Sequence, residues 1–317
     1  MAFSRDWSFY NYKPSLGAAI VLIILFILAT ATFSYQVWYT SKVAAQLSKN
    51  PFVPEEELNE PNKKRESKMY SIKSASNAHI PFFIGCALEI VGFICRAKSA
   101  TNINKLMPFV IQNMFVLVAP TFFAATIYMI FGRVLFLLDC QSLMPISPRY
   151  GTTFFVTGDV ISFLLQGTGG GLMASSGGRK IGSYIVIIGL FVQVVFFGFF
   201  ILMEIRFTMC VQKTCPYFWK ISRKWWFLNL SLLISSILIL IRSIVRIVES
   251  IQGYDGYIMS NEWFLYIFDA IPMLFVIVSF CIASYFGNIF DVTVECRGLK
   301  DTPQEVDAEY SGKEDIV

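Results

Sequence analysis

Seven long apolar stretches alternate with short polar segments along this chain of 317 residues. The first runs from Leu16 to Tyr39 without a charged residue. At ~1.5 Å rise per residue it is long enough to cross a ~30 Å hydrocarbon core. The others cover 79–95 with Glu89, 107–131 with Pro120, 152–173 with Asp159, 181–203 closed by Glu204, 225–248 with Arg242 and Arg246, and 263–286 with Asp269. None shows the ~10-residue alternation of a barrel strand, so the pattern predicts an all-α, polytopic membrane protein built as a seven-transmembrane-helix bundle. The expected organisation is an extracellular N-terminus (1–15), a membrane domain (16–286) carrying a flexible cytosolic loop (41–77), and a cytosolic tail (287–317).

Orientation follows from Lys and Arg placement. With the N-terminus outside, seventeen Lys and Arg fall on the cytosolic side and seven outside, among them Arg96. The first apolar stretch is too long for the h-region of a signal peptide and no small-residue cleavage site follows it, so it is expected to remain as an anchor. The loop has prolines, the run Glu55-Glu56-Glu57 and the run Lys63-Lys64-Arg65. The tail is short and acidic. Both compositions suit flexible segments. The net charge of +4 reflects the Lys/Arg asymmetry and does not point to nucleic acid.

Seven Cys are not expected to build a disulfide framework: Cys86, Cys95 and Cys281 lie in spans, and Cys140, Cys210, Cys215 and Cys296 face the reducing cytosol. Palmitoylation of Cys210, Cys215 or Cys296 is one reading of the juxtamembrane thiols and inert thiols are the other. The chain has a single His, His79. A seven-span zinc hydrolase needs several His ligands, so neither a metal site nor an enzyme is expected. His79 reads as an interfacial residue at a helix start, with haem ligation as the alternative.

Charge inside the membrane carries most of the functional information, because each buried polar group costs several kcal/mol unless paired. Asp159, Ser162 and Gln166 follow i, i+3, i+7 and share one helical face. Arg242, Arg246 and Glu249 follow i, i+4, i+7 on the sixth span, and Glu262, Tyr266 and Asp269 do the same on the seventh. Glu89 and Gln193 add polar groups from the second and fifth. By depth, Glu89, Arg242, Arg246, Glu249, Glu262 and Asp269 fall in the outer half, and Asp159 lies nearer the cytosol as a single inner carboxylate. Two readings stay open: structural ion pairs that hold helices in register, and a ligand or translocation cavity of mixed charge.

The fourth span ends in Gln166-Gly167-Thr168-Gly169-Gly170-Gly171. No Gly-Lys-Ser/Thr follows, so this is no P-loop; such glycines let a neighbouring helix approach closely. No other nucleotide motif is present, no cofactor is expected, and no internal repeat marks an inverted-repeat transporter.

Taken together, Phe154-Phe155-Val156-Thr157-Gly158-Asp159-Val160-Ile161-Ser162, Gly189-Leu190-Phe191-Val192-Gln193, Ile241 through Glu249, Gln252-Gly253, and Glu262 through Tyr266 to Asp269 resemble the fungal RTA-like lipid-translocating exporter family. The resemblance covers about Tyr10 to Glu295 and is strongest to the branch named for protoporphyrin uptake and haem homeostasis. It implies a fungal seven-span protein of the plasma membrane that moves, or confers resistance to, amphiphiles such as sphingoid long-chain bases, amino-sterols or porphyrins. Asp159, Gln166, Gln193, Arg242, Arg246, Glu249, Glu262 and Asp269 match family motif positions, which does not define their roles. A seven-span receptor or sensor is the alternative: Arg133 ends the third span as in rhodopsin-like receptors, but the seventh ends Phe286-Gly287-Asn288 with no Asn-Pro-x-x-Tyr.

Overall fold

A computed structural model describes residues 15–48, 67–101, 106–141, 148–173, 178–214, 224–253 and 256–301. Their principal elements are helical: α1 (Leu16–Leu47), α2 (Ile72–Asn77), α3 (Ile80–Thr101), α4 (Leu106–Leu137), α5 (Pro148–Met173), α6 (Arg179–Thr214), α7 (Lys224–Gln252), α8 (Tyr257–Ser260), α9 (Glu262–Leu265), a π-helical turn at Tyr266–Ala270, α10 (Ile271–Phe286) and α11 (Ile289–Asp301). Six segments are long and apolar enough to cross a membrane: 16–47, 72–101, 111–137, 180–211, 224–252 and 262–299. The predicted fourth span is α5, a helix of 26 residues. Its Thr, Ser, Gln and Gly content and Asp159 make it less apolar, and it is not among the six.

The long helices pack in chain order, α1 on α3, α3 on α4, and so on through α5, α6, α7 and α10, which returns to α1 and closes the ring. Large aliphatic side chains such as Val21, Ile24, Ile27 and Leu28 of α1 point outward and are exposed, as a lipid-facing surface requires. Inside, aromatic rings tie the helices together. Phe82 of α3 meets Phe33 of α1, Phe123 of α4 and Phe280 of α10 at centroid distances of 4.8, 4.8 and 4.7 Å. Tyr128 of α4 meets Phe155 of α5 and Phe200 of α6 at 5.3 and 4.6 Å.

Several helices outrun the apolar stretches, since a helix continues into the interface while its hydrophobicity does not. α1 reaches Leu47 and α6 reaches Thr214. Glu204, expected at the end of the fifth span, therefore lies inside α6 and is fully buried. The 41–77 loop is helical at 41–47 and 72–77, and its Pro, Glu and Lys/Arg runs lie outside the described residues. The tail differs from expectation as well. α11 packs against α1, α2, α4 and α7, burying Ile289, Phe290, Val292 and Cys296. Asn288 starts it, its side-chain oxygen accepting the Asp291 N–H at 2.9 Å. Gly287 precedes it because the Lys224 backbone comes so near that no Cβ fits there.

Two prolines shape the bundle interior. A proline inside a helix leaves the carbonyl four residues earlier without its donor. Pro120 of α4 does this to Val116, and the guanidinium of Arg242 on α7 takes that carbonyl at 2.5 Å. Pro272 begins α10 just after the π-turn at Tyr266–Ala270; the widened turn accommodates the ring and lets Asp269 face inward.

The glycines at the α5–α6 interface are close-contact positions. A methyl carbon at Gly169 would lie 2.7 Å from the Gly182 carbonyl oxygen, and one at Gly182 would lie 2.5 Å from that of Gly169. Gly167, Gly170 and Gly171 face open space. We expect Gly169→Val to force the helices apart and sharply reduce the folded protein recovered on gel filtration, whereas Gly170→Ala leaves recovery unchanged. Equal tolerance at both positions would contradict this packing.

Candidate functional site

Helices α3 and α7 and the π-turn bring together a cluster of charges, the one expected in the outer half. Asp269 carries both arginines: one carboxylate oxygen contacts Arg242 and the other accepts from Arg246. Arg246 also pairs with Glu249 at 3.0 Å. Arg242 is 3 % exposed and Asp269 is 4 % exposed, so each charge is stabilised by its partners and not by water. Four residues on α7 separate the arginines, which places them one turn apart on the inward face.

Glu89 of α3 is fully buried among these groups, within electrostatic reach of Arg242, Arg246 and Asp269. Neither carboxyl oxygen has a hydrogen-bond partner among the described residues. The arginines are already engaged by Asp269, Glu249 and the Val116 carbonyl, so Glu89 is the group in this cluster with unused binding capacity.

Glu262 stands apart from that cluster. Its Oε1 accepts from Arg96 at 2.7 Å, from the Tyr266 hydroxyl at 2.7 Å and from the Ser15 backbone N–H at 2.8 Å. Arg96 also donates to the Tyr266 hydroxyl at 3.2 Å and lies over its ring, 5.1 Å from the centroid. This network joins the start of α1, the end of α3 and the turn before α10. By Lys/Arg placement Arg96 belongs to the outside charges; in the structure it is 0 % exposed. The i+3/i+4 relation of Glu262 and Tyr266 to Asp269 was visible, but Arg96 could be found only from the three-dimensional packing.

The other half of the bundle holds a different arrangement. Asp159, Ser162 and Gln166 all face inward and are buried, as their spacing predicts. Asp159 Oδ2 accepts from the Tyr128 hydroxyl at 3.0 Å. Gln166 donates to Gln193 Oε1 at 3.0 Å and thereby links α5 to α6. Asp159 is not the only inner carboxyl: Glu204 of α6 is 0 % exposed and lies within electrostatic reach of Tyr128. Tyr128 and Glu204 were missed because a phenol in an aromatic-rich span and a carboxylate at an apparent helix end both read as ordinary.

Arg133 is engaged as a clamp. It donates to the Met69 and Ser71 carbonyls at 2.9 and 3.1 Å and to Ser74 Oγ at 2.6 Å, fixing the chain that enters α2. His79 is buried, shares a hydrogen bond with the Ala75 carbonyl at 3.0 Å, and stacks on Phe290 with centroids 5.6 Å apart. It packs between α3 and α11, immediately before the start of α3. Of the thiols, Cys140 is disulfide-bonded, which corrects the expectation that it stays reduced. Cys86, Cys95, Cys210 and Cys281 are free; Cys215 lies outside the described residues. No group of three His, Cys, Asp or Glu suited to a metal occurs among the described residues.

A ring of apolar helices around buried, partner-dependent charge defines a multi-pass membrane protein with a polar interior. Residues 82–293 match the family described as RTA1 like protein, and the chain belongs to that family. It is 53 % identical over 293 residues to protoporphyrin uptake protein 1 of Saccharomyces cerevisiae, covering 92 % of this chain and 97 % of the relative. It is 49 % identical over 306 residues to the protein RTM1 of Saccharomyces cerevisiae, covering 93 % and 97 %. With the sphingoid long-chain base transporter RSB1 of Saccharomyces cerevisiae (strain YJM789) it shares 26 % identity over 267 residues, covering 73 % and 69 %. No solved structure matches the chain.

Proposed function

We propose that the chain is a transporter of amphiphilic molecules whose charged head enters the outer cluster while the apolar body stays among the helices. The observation that carries this reading is Glu89: a fully buried carboxyl whose two oxygens have no hydrogen-bond partner among the described residues, beside two arginines held by Asp269. An apolar bundle with a few convergent polar groups matches a ligand with a greasy body and one charged end. Arg242, Arg246, Glu249, Glu262 and Asp269 shape the outer part of the path, and Asp159, Gln166 and Gln193 the inner part. The names of the relatives support porphyrins and sphingoid bases as the ligand classes to try; amino-sterols share with sphingoid bases a cationic amine on an apolar body. The direct test compares deletion and overexpression strains for tolerance to, and cellular content of, a sphingoid base, an amino-sterol and a porphyrin. We expect at least one to change in opposite directions in the two strains. No change in any of them would remove the transport reading and favour a receptor.

The same reading takes α5 as a seventh span, buried against α4 and α6, with the N-terminus outside, the C-terminus in the cytosol and the plasma membrane as the site of action. The less apolar α5 is carried across by its neighbours, which shield Asp159, Ser162 and Gln166 from lipid. The Lys/Arg asymmetry supports this orientation. The Cys140 disulfide lies on the side assigned to the cytosol, where such bonds are rare. A C-terminal tag decides: we expect antibody access only after permeabilisation. Labelling of intact cells would reverse the orientation and place the Glu89 cluster toward the cytosol.

A further inference from the structure

Beyond the outer cluster, the bundle contains buried acid groups with no base to balance them. Glu204 is 0 % exposed and both of its carboxyl oxygens lack a hydrogen-bond partner among the described residues. Asp159 is 2 % exposed; Tyr128 donates to one oxygen, and the other is unpartnered. The groups that reach this pair are Tyr128 from α4 and Ser236 from α7, and the Ser236 hydroxyl is itself buried without a partner in the hydrogen-bond geometry. Among the described residues neither carboxyl forms an ion pair with Arg, Lys or His, in contrast to Asp269 with its two arginines. Arg206, the nearest base along α6, is exposed.

An ionised carboxylate held in apolar surroundings without cation or donor is far less stable than the neutral acid. Two such carboxyls against one phenol and one serine hydroxyl favour at least one bound proton. We propose that Glu204, seconded by Asp159, is a proton-binding station in the inner half of the bundle.

A polar track connects the station to the rest of the membrane. The buried face of α7 carries Asn229, Ser236, Arg242 and Ser243 in succession. Asn229 donates to Thr208 Oγ1 at 2.8 Å, one turn from Glu204 on α6. From Asn229 to Glu249 the helix rises ~30 Å, so the track runs from below Glu204 to the Arg246–Glu249 pair. The step at the station is proton transfer alone: the O–H bond of the Glu204 acid breaks, its proton passes to water, and the bond re-forms by uptake of another proton. In the transporter reading, on which this last part rests, the proton gradient drives the amphiphile.

Infrared difference spectroscopy of the purified, lipid-reconstituted protein reads the station without any substrate. At neutral pH we expect a protonated-carboxyl C=O band in the wild type that disappears in Glu204→Gln, shifts in Asp159→Asn and persists in the surface variant Asp291→Asn. A wild-type spectrum without that band, or a Glu204→Gln spectrum identical to it, overturns the proposal; Glu89→Gln, which should leave the Glu204 band in place, separates the two buried carboxyls, and Glu204→Asp, which should move the band without removing it, serves should Glu204→Gln fail to fold. A second arm uses vesicles loaded with sphingosine or protoporphyrin IX under an imposed pH gradient. Flux accelerated by the gradient in the wild type and indifferent to it in Glu204→Gln supports coupling. Wild-type flux indifferent to the gradient overturns coupling and leaves the transporter reading standing; absence of flux overturns the transporter reading, while the infrared band still decides the station.

Discussion

Asp269→Ala will remove most of the folded protein. Asp269 is the shared partner of Arg242 and Arg246, and its loss leaves Arg242, 3 % exposed, with the Val116 carbonyl as its one hydrogen-bond partner among the described residues. Breaking a buried ion pair from one side costs about 3–5 kcal/mol, a large share of the stability of most folded domains. Steady-state abundance and the thermal midpoint in detergent should both fall sharply. Replacing both arginines with Met in the Asp269→Ala background should recover much of the loss, because the unpaired charges go with the carboxylate. Wild-type abundance for Asp269→Ala alone would mean that the arginines are hydrated and the cluster is not the helix clamp described here.

Arg246→Gln should behave differently. Arg246 is the more exposed arginine, its side chain 13 % accessible, and Arg242 continues to neutralise Asp269. The amide of Gln still offers a donor to Asp269 or Glu249. Abundance and surface delivery are expected near the wild-type level, while tolerance to the transported amphiphile falls to that of the deletion strain. Loss of protein in proportion to activity would show Arg246 to be a packing device. Full abundance with full activity would take it out of the transport path.

These two variants separate the readings that the sequence left open, because Asp269 serves both arginines while Arg246 is replaceable as a partner. The helical class was legible from apolar run lengths, and so was the inward face of α5, since Asp159, Ser162 and Gln166 obey the helical period and are all buried. Helix ends were not legible: hydropathy reports the hydrocarbon layer, and α6 continues past it to Thr214, which hid Glu204. Nor could the pattern show that Arg96 lies inside the bundle, because a guanidinium at an apparent loop looks the same whether it meets water or Glu262. The link between Pro120 and Arg242 was out of reach for a different reason. It needs both the carbonyl that proline leaves vacant on α4 and the packing that delivers a guanidinium to it from α7. The α11 helix was missed because its overall polarity matches a solvated tail, although Ile289, Phe290, Val292 and Cys296 form one apolar stripe.

Transport in sealed vesicles tests most directly whether the outer cluster handles an amphiphile. Purified protein in sealed vesicles, with sphingosine and protoporphyrin IX offered separately, should accelerate the crossing of at least one of them over protein-free vesicles. Arg246→Gln, present at equal density and correctly folded, should reduce that rate to the protein-free level. Crossing rates that are the same for wild type, Arg246→Gln and empty vesicles with both probes would contradict the central claim.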